Sequence, residues 1–176
     1  MKIIIATGIF PPEVGGPAYY SAALRDALEV QGHEVRVVLY GRLKKLPPGV
    51  RHLGYFLKLM RHARWAEGII AFDTFSVGLP AAVAGMLTQR PVVARIGGDF
   101  MWEMYTERTK DLIALPQVYE HRERWSAKER SNFRIQRWVI QHVDLAFTCM
   151  WMRDIWARVY ALDEAHVHVV ENALPP

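Results

Sequence analysis

Lys2-Ile3-Ile4-Ile5-Ala6-Thr7 leads into Gly8-Ile9-Phe10-Pro11-Pro12-Glu13-Val14-Gly15-Gly16-Pro17, and a helix-forming stretch from Ala18 to Val30 follows, closed by Gly32. A β-branched apolar run, a glycine-bearing loop and a helix start, in that order, make a device for holding anions. Paired glycines let the main chain come close to a ligand, and the first N–H groups of the helix point at it. The stretch predicts a phosphate or phosphorylated substrate held on Gly15 and Gly16. The plainer alternative is that these glycines only turn the chain, with Pro17 opening the helix where its missing N–H costs nothing. Gly8, Gly15 and Gly16 do not have the G-x-G-x-x-G spacing of a dinucleotide turn, and the chain has no Gly-Lys-Ser or Gly-Lys-Thr.

Outward from that stretch, short β-rich runs alternate with helical ones. Residues 2–6, 34–40, 68–72, 91–96, 145–149 and 167–170 read as strands, several of them almost wholly apolar, as in a sheet covered on both faces. Helices are predicted over 17–31, 56–66, 79–87 and 151–160, with a long charged one over 119–143. Crossovers of this length connect parallel strands, so the expected class is α/β: a doubly wound, mostly parallel, Rossmann-like sheet with helices on both faces. In such sheets ligands sit at the carboxyl ends of the strands. The Gly15-Gly16 loop, Asp73-Thr74 and Gly97-Gly98-Asp99 should emerge together there.

With 176 residues, 51% of them hydrophobic, the chain can bury one substantial core. The net charge of +4 is modest. A single cysteine, Cys149, excludes an internal disulfide framework, fits a reducing compartment, and reads as a buried thiol in a strand-like run. No stretch reads as a signal peptide, and no apolar run approaches the roughly 18 residues needed to span a bilayer. These features predict a soluble, cytoplasmic protein, with attachment to the inner face of the cell membrane left open.

Four stretches in order resemble the amino-terminal domain of glycosyltransferase family 4, retaining enzymes of the two-lobed GT-B fold. They are Pro11-Pro12-Glu13-Val14-Gly15-Gly16 with Gly32-His33-Glu34-Val35-Arg36-Val37, then Ile69-Ile70-Ala71-Phe72-Asp73 running to Gly78-Leu79-Pro80-Ala81, then Val92-Val93-Ala94-Arg95-Ile96-Gly97-Gly98-Asp99-Phe100-Met101-Trp102-Glu103, and finally Val169-Val170-Glu171-Asn172-Ala173. The resemblance implies one domain over 1–171 and the start of an interdomain hinge over 172–176. It implies an acceptor-side lobe, inactive alone, facing a donor-binding carboxyl lobe that carries two glutamates at a spacing no glutamate pair here reproduces. It implies a nucleotide-sugar donor bound mainly by that second lobe, a glycan or lipid-linked acceptor, and neither cofactor nor metal.

Many members of that family place a histidine after the fourth strand, where it contacts the donor sugar; here the position is Asp99. A carboxylate could accept a bond from a sugar hydroxyl or steady developing positive charge, which makes Asp99 the candidate catalytic residue. Asp99 also suits the N-cap of a helix beginning near Phe100. Gly15, Gly16, Asp73, Arg95, Gly98 and Glu103 are the candidate phosphate- or substrate-binding residues. Arg95, inside an apolar strand, needs a carboxylate or phosphate partner, and an ion pair is the expected one. Glu103 would share a helix face with Asp99, or simply be a solvated charge. Asp73 could bind an acceptor hydroxyl or shape its loop.

Between Arg42 and Arg64 the chain carries Arg42, Lys44, Lys45, Arg51, Lys58, Arg61 and Arg64 and no acid. On a helical wheel Phe56, Leu59, Met60 and Ala63 share a face, with Lys58, Arg61 and His62 opposite. Packing of the apolar face on the sheet is the expected arrangement, and the bases could still attract an anionic membrane surface. A second segment interleaves Arg122, Arg124, Arg134 and Arg137 with Trp125, Phe133 and Trp138. Its acids Glu120, Glu123 and Glu129 argue against nucleic acid, since they would face the same phosphates. His166 and His168 lack a third ligand nearby, so no zinc site is expected. The leading reading is the acceptor-side lobe of a retaining glycosyltransferase. The alternative is a self-contained, non-catalytic sugar-phosphate or nucleotide-binding module.

Overall fold

The computed structural model describes residues 1–47 and 49–172. Its strands are β1 Lys2–Thr7, β2 Glu34–Leu39, β3 Gly68–Ala71, β4 Val92–Ile96, β5 Asp144–Phe147 and β6 Val167–Val169. All six predicted strands are present, displaced by a residue or two at their ends. They form a single sheet in the order β2-β1-β3-β4-β5-β6, every neighbouring pair parallel. The helices are α1 Gly16–Val30, α2 Val50–Ala63, α3 Gly78–Thr88, α4 Phe100–Thr109, α5 Leu115–Glu120, α6 Ala127–Ile140 and α7 Met150–Tyr160.

The strand order dictates where the helices lie. The chain steps one way from β1 to β2 and the other way at every later crossover. With right-handed crossovers, α1 therefore takes one face and the later helices take the other. The packing agrees: α1 lies on β1 and β2, while α2 packs on α3, and α3 and α4 on α6. β1 lies inside the sheet, between β2 and β3, and is covered on both sides. Ile4 and Ile5 are fully buried, each contributing on the order of 2 kcal/mol of apolar burial. The small residues of α3 seat it close to the sheet: Ala81, Ala82 and Ala84 are fully buried, and a Cβ on Gly85 would sit 2.8 Å from the Arg90 carbonyl.

The structure departs from the sequence reading in three elements. Helix α2 begins at Val50, ahead of the predicted 56–66. Cys149 is not in a strand; it stands at the amino end of α7 and is half-buried. The long charged helix over 119–143 is broken: α5 ends at Glu120, a 3₁₀ turn covers Arg122–Arg124, and α6 starts after Ser126. The break has a local cause. The Ser126 hydroxyl accepts from the Glu129 N–H at 3.2 Å, and the Glu129 carboxylate accepts from the Ser126 N–H at 2.6 Å, a reciprocal cap.

Glu129 is 1% exposed and takes Nε and Nη2 of Arg108 at 2.8 and 2.9 Å, so it is an interior ion-pair partner and not the solvent-facing acid read from sequence. Burial pushes the Glu129 carboxyl up, but the bonds from Arg108 and Ser126 outweigh it and hold it below its ordinary 4.5. A depressed carboxyl contributes stability above its unfolded value and loses it as pH falls through the folded one. Glu129→Gln should therefore cost about 2–3 kcal/mol near neutral pH, a deficit that shrinks in acid below the ordinary value, as read by urea unfolding across pH.

Candidate functional site

β1 and β3 are neighbours in the sheet, yet the helices that follow them lie on opposite faces. Their carboxyl ends therefore part, and a crevice opens between them, as expected at the switch point of a doubly wound sheet. A cleft of about 960 Å³ occupies this place. Gly8, Ile9, Gly16, Pro17 and Tyr20 form one wall, and Phe72 through Ser76 form the other. Arg95 through Gly98, Phe100, Glu103, Thr148 and Asn172 complete it. Of the residues singled out in the sequence, Gly16, Asp73, Arg95, Gly98 and Glu103 line the cleft; Gly15 and Asp99 do not.

At the opening of α1, the Gly15 carbonyl accepts from the N–H groups of Ala18 and Tyr19 at 3.0 and 3.1 Å. Pro17 has no N–H, so this helix end offers fewer amides than the sequence suggested, namely those of Gly15 and Gly16. Gly15 is a matter of space: a Cβ there would lie 2.8 Å from Cδ1 of Ile9. Gly16 has nothing within 4 Å of such a Cβ and faces the cleft.

The loop after β3 is organised by Asp73. Its Oδ1 accepts from the N–H groups of Phe75, Val77 and Gly78 at 2.9, 2.9 and 3.1 Å. Burial pushes the Asp73 carboxyl above its ordinary value, and the three amides pull against that. Gly78 is required by proximity, because a Cβ would run into the Asp73 carbonyl. Gly78→Ala should cost about 2 kcal/mol or more by forcing this loop open, seen as a lower midpoint in thermal unfolding. Phe75 stacks on Phe100 with centroids 4.9 Å apart and planes at 12°, which ties the β3 and β4 loops together.

Arg95 lacks the carboxylate partner expected for it: no ion pair forms at its guanidinium among the described residues. Alternation along β4 explains its setting. Val92, Ala94 and Ile96 are buried, while Val93 and Arg95 point to the other face, the face covered by α1. The guanidinium carbon lies 3.5 Å from the centroid of the Tyr20 ring of α1, and Nη2 donates to Oδ1 of Asn172. Nε is buried with no hydrogen-bond partner among the described residues. The charged end thus remains in the cleft, flattened on an aromatic ring and neutralised by nothing described.

Asp99 sits behind the wall. It is 3% exposed and caps α4, with Oδ1 accepting from the Trp102 N–H at 2.8 Å. Oδ2 accepts from Tyr119 Oη and Trp156 Nε1, both at 2.7 Å. Tyr119 continues to Tyr160 Oη at 3.2 Å, which takes Nε2 of Gln136 at 3.0 Å. The carboxylate therefore fastens the β4 loop to α5, α6 and α7, and burial still pushes it above its ordinary value despite those bonds. Both oxygens are committed inside the protein, so the substrate contact expected of Asp99 is closed to it in this arrangement. Beside Asp73, the carboxylate that lines the cleft is Glu103, over Gly98: a Cβ on that glycine would come within 3.0 Å of Oε1. Partial burial of this carboxyl, then repulsion from Asp99 and Asp73, raises it above its ordinary value.

The sequence reading missed Tyr20, Phe75, Phe100, Thr148 and Asn172 as wall residues. Tyr20 carries a signal, four residues after Gly16 at the start of the second turn of α1, on the side of the helix that meets Arg95. A second cavity of about 700 Å³ lies at the opposite edge, between the amino end of β5 and the carboxyl ends of α3, α6 and α7. There Nδ1 of His166 and Oδ1 of Asp144 are 2.7 Å apart, a bond that raises the His166 imidazole. Among the described residues no group of three or more His, Cys, Asp or Glu converges on a point.

Fold and cleft together define an open α/β domain with a crevice at its switch point, walled by aromatic rings, two carboxylates and one guanidinium. No family model and no curated protein matches the chain. Among solved structures it is similar to the 2-deoxyribosyltransferase from Bacillus psychrosaccharolyticus, at 15% identity over 99% of this chain and 100% of that one, with a TM-score of 0.41. It is also similar to a protein described as a UDP-N-acetylglucosamine 2-epimerase from Listeria monocytogenes, at 13% identity over 98% of this chain and 69% of that one, with a TM-score of 0.40.

Proposed function

We propose that this domain is the acceptor-side lobe of a retaining glycosyltransferase that moves a sugar from a nucleotide-sugar to a glycan or lipid-linked acceptor without a metal. The observation that supports it most is Arg95: a guanidinium held flat on Tyr20 in the switch-point cleft, with no carboxylate beside it among the described residues. Such a group takes phosphate oxygens, bound by its planar fork of donors. The resemblance to glycosyltransferase family 4 is carried by the same loops. Glycosyl transfer breaks the bond between the anomeric carbon and the diphosphate, so negative charge grows on the departing oxygen. A cation already fixed in place stabilises that charge without reorganising. Asp73 and Glu103, toward the Phe75–Phe100 end, suit sugar hydroxyls as hydrogen-bond acceptors. Asp99 positions the loop between them.

Titration with pyrophosphate, followed by amide shifts, tests the reading. Shifts should gather at Gly16, Arg95, Gly97 and Gly98; shifts scattered over the second cavity or the outer helices would remove it. Turnover of a panel of nucleotide-sugars by the intact gene product then separates a transferase from a binding module, which would bind and not turn over.

A further inference from the structure

Helix α2 is apolar on two sides, and only one of them meets the protein. Tyr55, Leu59 and Ala63 are fully buried against the sheet and α3; of the face read from the helical wheel, Leu59 and Ala63 are fully buried and Phe56 and Met60 partly so. The opposite side, which the wheel assigned to bases, carries a second apolar row. Val50, Leu53 and Leu57 lie at i, i+3 and i+7 and are 55%, 59% and 55% exposed; Leu46, just before the helix, is 40% exposed. Lys45, Arg61 and Arg64 are exposed around this row and form no ion pair among the described residues. Lys44 and Lys58 are engaged elsewhere, with Glu13 and the Leu39 carbonyl.

The geometry points to this outer face of α2 as a docking surface for an anionic lipid bilayer, with Leu53 and Leu57 entering the acyl boundary and Arg61 and Arg64 at the headgroups. Contiguous exposed aliphatic side chains with a cationic rim and no acid between Arg42 and Arg64 match that chemistry. A second copy of the chain fits less well. A two-fold contact would bring each basic rim against its own likeness, and like charges across an interface oppose it. The inner side of the same helix reaches the cleft wall, where His52 meets the Phe75 ring at 5.6 Å, so the outer face stays free of the cleft. Its test is independent of what the cleft binds. No helix among the described residues is long and apolar enough to cross a membrane, so contact of this kind would be peripheral.

Sedimentation with vesicles decides it. The protein should pellet with vesicles of equal parts phosphatidylcholine and phosphatidylglycerol, stay in solution with phosphatidylcholine alone, and detach as ionic strength rises. Leu53→Ser with Leu57→Ser should lower partition at least about tenfold while leaving the melting curve in place, since both side chains are solvent-facing. Arg61→Glu with Arg64→Glu, which touches no apolar contact, should lower it comparably. Equal binding to neutral vesicles, full binding by either double variant, or a dimer that the leucine variant dissociates would each overturn the proposal.

Discussion

Asp99→Ala is expected to lower the stability of the domain by about 3–5 kcal/mol, enough to unfold a marginal protein. Loss of an N-cap carboxylate costs about 1 kcal/mol by itself. Here the same side chain also receives Tyr119 Oη and Trp156 Nε1, each at 2.7 Å, in an interior that water does not reach. Tyr119 keeps Tyr160 as a partner, but the indole N–H of a residue 1% exposed is left with none, a desolvation cost of about 1–3 kcal/mol. The cavity left by the carboxyl adds to this. Urea unfolding measures the sum, and a loss below about 1 kcal/mol would show that the hub is not what holds the β4 loop. Asp99→Asn carries a further signature. A carboxyl whose folded value lies above its ordinary 3.8 contributes stability that is full below that value and is lost as pH rises through the folded one. Asparagine has no charge to bury, so the deficit of Asp99→Asn should be largest in acid and shrink as pH rises.

Arg95→Gln should weaken pyrophosphate binding in the cleft by about ten- to a hundredfold while changing stability by less than about 1 kcal/mol. Charge-assisted bonds to phosphate supply that range, and the half-buried Arg95 makes no ion pair among the described residues whose loss would destabilise the fold. Arg95→Lys should recover only part of the affinity. An ammonium keeps the charge but lacks the planar fork that lies on Tyr20. Calorimetric titration of the three proteins reads the difference directly; equal affinities would leave Arg95 a packing residue and remove the main support for the phosphate reading.

Much of the candidate cleft is legible in the sequence. Gly16, Asp73 and Gly98 follow from strand ends that share one rim, Arg95 from a charge inside an apolar strand and Glu103 from its spacing to Asp99, and all five line one cleft. What failed was direction and partnership. The sequence allows Asp99 to be a cap or a catalytic group, and its side chain turns inward because Tyr119 and Trp156 offer donors there. It predicts an ion pair for Arg95, whose neighbours are a tyrosine ring and an asparagine. The break before α6 was written plainly in Ser126-Ala127-Lys128-Glu129, a capping box hidden by the surrounding charges.

By itself the sequence determined the strands, the parallel connections and the edge at which a ligand would sit. Those depend on apolar runs, glycines and crossover lengths, all of which act over a few neighbouring residues. Tertiary structure alone decided that Asp99 turns away from the cleft while Glu103 joins Asp73 in it, what lies beside Arg95, and that α2 keeps a second apolar row in solvent. Arg95 meets Asn172 across 77 positions and Asp99 meets Trp156 across 57. Contacts that distant along the chain are set by how the layers pack, and no local pattern encodes them.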